Sequence, residues 1–185
     1  EQLEKAISTV LGQKISVMGA GRTDTGVHAK QFFAHFDTDI DLLNSNIVYR
    51  LNSFLSQDIS VKTIFGVKSD AHSRFDATSR TYEYIIYNSK NPFNVGKAHF
   101  IHKPLDLNQM NQAAKCLFDF TDFTSFSKLH TQTKTNNCSI KKAIWENRGD
   151  TIVFTIEADR FLRNMVRAIV GTLLEVGQSR MSINE

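Results

Sequence analysis

The chain has 185 residues, 41% apolar and 22% charged, with 22 basic against 19 acidic side chains and a net charge of +3. A chain of this length buries roughly 70% of its unfolded surface and needs no disulfide or metal to hold a core; the small basic excess permits a nucleic-acid partner without requiring one. Two cysteines, Cys116 and Cys138, without a Cys-x-x-Cys pair exclude a zinc ribbon and a disulfide framework and suit a reducing cytoplasm, while no apolar run approaches the roughly 20 residues of a membrane span and no signal-peptide pattern opens the chain. In chain order, Leu3, Ala6, Ile7, Val10 and Leu11 recur at helical spacing and predict a helix that Gly12 ends. Ile15 to Met18 is a short strand, Gly19 to Gly26 a glycine-rich turn, and Gln31 to Thr38 a phenylalanine-rich strand. Asp41 caps a helix through about Phe54 with Leu43, Ile47, Leu51 and Phe54 on one face, and Ile59 to Val67 is a strand.

In the second half, Thr78 to Asn88 alternates as a long strand, with Tyr82, Tyr84 and Ile86 on one face, and Asn91-Pro92 breaks it. Ala98 to Ile101 is a short strand. Asp106 and Gln109 predict a capping box before a helix presenting Met110, Ala114, Leu117 and Phe118. Ile140 to Glu146 and Thr151 to Ala158 form a hairpin across Asn147-Arg-Gly-Asp150. Asp159 caps a last helix with apolar positions from Phe161 to Leu174, and Gly177 closes it. The halves read α-β-β-α-β and β-(β)-α-β-β-α. One strand added before Glu1 and one after Glu185 turns each into β-α-β-β-α-β, the ferredoxin-like unit, with the seam near Asp70 to Thr78. Both ends therefore read as cut edges.

The densest cluster is Gly19-Ala-Gly-Arg-Thr-Asp-Thr-Gly-Val-His-Ala29, which holds three of the nine glycines in eight residues. The spacing Gly21-x4-Gly26 imitates the start of a phosphate loop, but Val27-His28 replaces the required Lys-Ser/Thr. The dinucleotide pattern fails as well, because Asp24 takes the third glycine position and repels a pyrophosphate. What remains is an arginine and an aspartate two residues apart. Asp24 is then either a turn-former bonding nearby backbone N–H groups or a carboxylate presented as nucleophile or general base.

The last helix carries Arg160, Arg163 and Arg167 at i, i+3, i+7, with no acid between Asp159 and Glu175. Arg167, flanked by Val166 and Ala168-Ile-Val170, is expected to be the most buried of the three and to need a carboxylate partner; the alternative is a solvated basic face. From Thr124 to Trp145 there are four lysines, including Lys128 and Lys134, together with His130 and no acid. That stretch is either a solvated loop or a set of phosphate contacts. His99 and His102 face opposite sides of a strand, which argues against a metal site. Tyr82 is core packing or a ring offered to a base.

Gly21-Arg-Thr-Asp-Thr-Gly-Val-His-Ala29 is similar to the catalytic loop of the tRNA pseudouridine synthases of the TruA family. His72-Ser-Arg-Phe75, Ser79-Arg-Thr-Tyr-Glu-Tyr-Ile-Ile86, Asp122-Phe-Thr-Ser-Phe126 and Phe161-Leu-Arg-Asn-Met-Val-Arg-Ala-Ile-Val-Gly171 fit the same family in the same order, so the resemblance spans nearly the whole chain. Thr25, where many members have alanine, is a small departure. The resemblance implies an α+β fold of two ferredoxin-like halves in pseudo-symmetry about a basic cleft. Residues 1–77 would carry the catalytic loop and lack the first strand; residues 78–185 would carry the base-stacking tyrosine and the arginine-bearing helix and lack the last. It implies isomerisation of uridine to pseudouridine in the anticodon stem-loop of tRNA, positions 38–40, by a cytoplasmic homodimer with no cofactor, metal or membrane. Asp24 matches the catalytic aspartate, Arg167 the arginine that pairs with it, Tyr82 the tyrosine against the target base, and Arg22 the arginine that helps extrude that base. His28 and Arg74 fall in matched motifs as substrate contacts, with Lys128, Lys134 and Arg163 as weaker contacts to the RNA backbone.

The chemistry asks for these residue types. The N1–C1′ bond breaks, the uracil turns, and it reattaches through C5. An ionised carboxylate can attack C6 of the base or C1′ of the sugar, or stabilise an oxocarbenium-like centre. A nearby arginine keeps it charged. Extruding the base costs a few kcal/mol, of which stacking on a tyrosine returns about 1–3. The competing readings are a non-catalytic RNA-binding module on the same frame and a carboxylate-dependent hydrolase, the latter lacking a second acid with a clear role.

Overall fold

A computed structural model of the chain describes residues 1–42, 46–128 and 135–185. Leu43, His130 and Lys134 lie outside the described residues. The chain forms two compact units, Glu1–Ala77 and Thr78–Glu185.

In the first unit, helix α1 (Gln2–Leu11) buries Ala6 and Ile7 and ends on Gly12 at φ 69°, a left-handed cap that glycine adopts without steric cost. The strand expected at Ile15 to Met18 starts only at Met18. Ile15 is buried as its pattern requires, but its N–H donates to Ser8 Oγ (3.0 Å) and the Val17 N–H donates to Glu4 Oε1 (3.0 Å). Side chains of α1 thus take the place of a neighbouring strand. The same bond from the Val17 N–H holds the Glu4 carboxyl below the usual carboxylate range.

Strands β1 (Met18–Gly19) and β2 (Ala34–His35) pair antiparallel, Met18 opposite His35 and Gly19 opposite Ala34. The expected strand over Gln31 to Thr38 shrinks to this pair. Helix α2 (Ile47–Phe54) starts at Asn46, not Asp41. Ile47 and Leu51 reach the core, but Phe54 does not: the helix stops there, the chain turns extended, and Leu55 packs inward instead while Phe54 stays 47% exposed. Ile59 to Val67 forms no strand. The Asn52 side-chain amide bonds both the C=O and the N–H of Val61 (2.8 and 2.7 Å), and Val61 and Ile64, three residues apart and so out of strand phase, both pack on the core while Phe65 and Val67 stay exposed.

The second unit is a four-stranded sheet in the order β4-β3-β6-β5, made of β3 (Arg80–Tyr87), β4 (His99–Phe100), β5 (Ile140–Arg148) and β6 (Thr151–Ala158). β6 runs antiparallel to both β3 and β5, and β4 parallel to β3. The β5–β6 hairpin is tighter than expected, with Arg148 paired to Thr151 across Gly149 and Asp150. Gly149 alone takes a positive φ (65°), as a type II′ turn requires at its first central residue.

Helices α3 (Leu107–Cys116) and α4 (Met165–Gly177) pack with one face of the sheet around Ile86, Phe154, Ile156, Met110, Met165 and Ile169. Trp145 stacks on Phe154 at 4.7 Å. Asp106 Oδ1 accepts the Gln109 N–H (3.0 Å), but the capping box is only half made, because the Asp106 N–H donates to Gly177 O (2.9 Å). Phe118 lies beyond the end of α3 and is 48% exposed.

Asp159 does not cap the last helix. Its Oδ1 accepts the N–H groups of Ser139 (2.7 Å) and Arg160 (2.8 Å), which holds residues 159–164 as a loop. α4 begins after Asn164, whose φ of 68° breaks the helical path. Gly177 is the last helical residue rather than the residue past the end, and the positive φ falls on Ser179. The second unit follows the expected β-(β)-α-β-β-α order, whereas the first, expected as α-β-β-α-β, offers only a two-stranded pair among the described residues.

Candidate active site

The first unit presents the glycine-rich loop on the β1–β2 stem. Beyond the paired residues the Ala20 N–H donates to Phe33 O (2.9 Å), and the loop between them carries Arg22, Asp24 and His28, all exposed. Asp24 opens a tight turn: its C=O accepts the Val27 N–H (3.3 Å), with Gly26 at φ 86° in the third position, the geometry of a type II turn. A side chain at residue 26 would be strained there, so this glycine serves the turn. Gly19 serves the stem, since a Cβ on it would sit 2.7 Å from the Phe32 ring.

Arg74 reaches the same stem through its neighbours. Ser73 Oγ donates to Met18 O (3.0 Å) and lies 2.9 Å from His35 Nδ1, which also accepts the Ser73 N–H (3.2 Å). His72 Nδ1 accepts the N–H groups of Arg74 (3.2 Å) and Phe75 (3.3 Å), and the His72 ring lies against His35 (4.7 Å) and Phe75 (4.2 Å). The Arg74 guanidinium sits over the Phe75 ring at 5.9 Å, within cation–π range. The unit therefore collects Arg22, Asp24 and His28 on one loop with Arg74 braced at its base. A depression of about 610 Å³ lined by Lys68, Asp70, Ala71 and Asp76 lies beside segment 72–76 and contains none of the expected site residues.

The second unit gathers the aromatic and basic residues. Tyr82 faces the helix-covered side of β3, half-buried, with Phe161 edge-on at 5.2 Å. Two residues along the same strand, Tyr84 OH meets His99 Nδ1 at 2.9 Å. Burial pushes the Tyr84 hydroxyl up, and the Arg167 guanidinium pulls it partly back. Arg167 stands in the first turn of α4 and is exposed, contrary to the expectation that it is the most buried of the three arginines; Arg160 is the half-buried one.

Arg160 and Arg163 are on the 159–164 loop, so the three do not share a helical face. The loop has its own logic, because the Lys128 N–H donates to Arg163 O (3.1 Å) and puts two exposed cations on adjacent backbone segments. The turn leading to Lys128 is set by Asp122, whose Oδ1 accepts both the N–H and the hydroxyl of Thr124. These bonds, the hydroxyl first, hold its carboxyl below the usual carboxylate range. Sequence reasoning passed over His35, weighed His99 only as half of a metal pair, and read Phe161 only as an apolar helix position. Phe161 lay within a matched motif; the histidines gave no local signal, because only pairing brings them to Ser73 and Tyr84.

A family profile described as tRNA pseudouridine synthase matches residues 113–185. The tRNA pseudouridine synthase A of Bacteroides fragilis is 55% identical over 187 residues, covering all of this chain and 74% of the relative. That of Parabacteroides distasonis is 51% identical, covering all of this chain and 73% of the relative. That of Haemophilus ducreyi is 41% identical, over 99% of this chain and 71% of the relative. With the glycine-turn aspartate, the tyrosine strand and the arginine at the start of α4 all inside these alignments, the chain belongs to the tRNA pseudouridine synthase A family.

Proposed function

We propose that this protein isomerises uridine to pseudouridine in the anticodon stem-loop of tRNA, at positions 38–40, with Asp24 as the nucleophile. The observation that carries the reading is the presentation of Asp24 at the corner of an exposed type II turn in a chain of this family. A carboxylate so placed meets an extruded base without disturbing a core, and the glycine at residue 26 lets the backbone approach RNA closely.

In this reading the Asp24 carboxylate adds to C6 of the uracil or to C1′ of the ribose as the N1–C1′ bond breaks. The base rotates, the C5–C1′ bond forms, the C5 proton leaves, N1 takes up a proton, and the carboxylate is released. Arg167 pairs with that carboxylate, Tyr82 stacks on the target base, and Arg22 helps extrude it, with His28 and Arg74 as further substrate contacts. Lys128 and Arg163 hold phosphates. Each unit contributes one set of groups: residues 1–77 the nucleophile, residues 78–185 the stacking ring and the charge partner, on a frame of two ferredoxin-like halves about a basic cleft. Family membership also favours a cytoplasmic homodimer holding one tRNA.

The test uses tRNA carrying tritium at uridine C5. Forming the C5–C1′ bond releases that label to water, and primer-extension stops after chemical labelling of pseudouridine locate the site. The wild type is expected to release label and give stops in the anticodon arm, whereas Asp24→Asn binds tRNA and does neither. An Asp24→Asn variant that modifies tRNA normally overturns the assignment. A wild type that binds without releasing label favours a pure RNA-binding module.

A further inference from the structure

The β1–β2 stem is two residue pairs long, too short to be stable on its own, yet it has to hold the loop of Arg22, Asp24 and His28. Its brace comes from elsewhere in the unit. Ser73 Oγ donates to the Met18 carbonyl on one strand, and the Ser73 N–H donates to His35 Nδ1 on the other, at residues that face each other across the ladder. One serine thus ties both strands of the stem to segment 72–76.

His35 Nδ1 meets both the backbone N–H of Ser73 (3.2 Å) and its Oγ (2.9 Å), so one ring nitrogen faces the serine's main chain and side chain together. The residue after the serine is Arg74, whose N–H is held by His72 Nδ1, and the His72 N–H is in turn held by Asp76 Oδ2 (2.6 Å). Stem and arginine are therefore parts of one hydrogen-bonded body.

We propose that Ser73 and His35 are positioning residues for the isomerisation: their clamp sets where the Asp24 loop stands relative to Arg74, without either residue touching the reacting atoms. The inference rests on the function proposed above. Its physical warrant is that displacing a nucleophile by about 1 Å costs on the order of a hundredfold in rate, while binding, spread over many phosphate contacts, changes little.

Four variants of the full chain separate positioning from plain structure. Ser73→Ala and His35→Leu remove the clamp. Ser73→Thr keeps the hydroxyl, and His35→Asn keeps an acceptor oxygen near the place of Nδ1. The expected result is a ten- to hundredfold lower single-turnover rate for Ser73→Ala and His35→Leu, with tRNA Kd within about threefold of wild type. Ser73→Thr and His35→Asn recover most of the rate. The Ser73→Ala/His35→Leu pair is no slower than the slower single variant, because both break one unit. Amide exchange at Ala20, next to the stem, rises in the first two variants and not in the rescuing ones. An active wild type whose Ser73→Ala and His35→Leu variants keep full rate overturns the clamp alone, as does a loss that the conservative variants fail to restore or that follows melting temperature across all four. A wild type without isomerase activity overturns the proposed function and this role with it.

Discussion

Arg167 stands at the third residue of α4, where the helix macrodipole disfavours a cation by about 0.3–1 kcal/mol, and no acidic side chain occupies that first turn. A position that costs stability and still carries arginine is one where the charge serves another purpose. Arg167→Gln is therefore expected to abolish isomerisation while leaving the melting temperature unchanged or slightly raised. The same change removes the influence that lowers the Tyr84 hydroxyl, so its phenolate absorbance should appear at higher pH than in wild type. A melting temperature that falls by several degrees would show that Arg167 is structural.

At the scale of elements, the contact between α3 and α4 turns on Gly177. A Cβ there would lie 2.5 Å from Met110 Sδ and 2.7 Å from its Cγ, and Met110 is fully buried, so its chain has no room to retreat. Gly177→Ala should cost roughly 1–3 kcal/mol by overpacking, read as a lower urea midpoint at unchanged m-value. Sequence periodicity places Gly177 at the end of the last helix but not its packing duty, which needs the neighbouring helix. Legibility elsewhere follows the same division. The apolar faces of α1, α3, β3 and the β5–β6 hairpin are local patterns and were readable. The segments 15–17 and 59–67 are apolar enough to read as strands, yet Ile15, Val17 and Val61 bond the side chains of Ser8, Glu4 and Asn52, which no period announces. The run from Phe161 to Leu174 reads as one helix because its apolar spacing continues through Asn164; the left-handed φ at that residue and the bonds from Asp159 to Ser139 cut it in two. Within the site, Asp24 and its turn were legible because glycine spacing is local, whereas the brace of Ser73 on His35 spans 38 residues.

For the whole molecule, a net charge of +3 says little until the cations are located. Lys128 and Arg163 are joined through their backbones and exposed together. If they hold two phosphates, Lys128→Ala and Arg163→Ala each weaken tRNA binding by a similar factor whatever the tRNA sequence. Each also reduces the slope of log K against log salt by roughly one. Titrations between 50 and 200 mM salt, on the order used for such slopes, would measure this; unchanged slopes would remove both residues from the RNA contact.

The amide of Asn111 has a consequence for how copies of this protein behave in a crowded solution. Its Nδ2 donates to Trp145 O (3.0 Å) and its Oδ1 accepts the Trp145 N–H (2.8 Å), on β5, the last strand in the sheet order. Outward-facing groups of a terminal strand invite a stranger's strand to continue the sheet, and here α3 occupies those of Trp145, at the middle of β5. Asn111→Leu, similar in size but unable to bond either group, is expected to fold and then to associate through β5, seen as concentration-dependent growth in scattering and thioflavin binding that wild type lacks. A single asparagine thereby acts as a stopper against runaway strand addition.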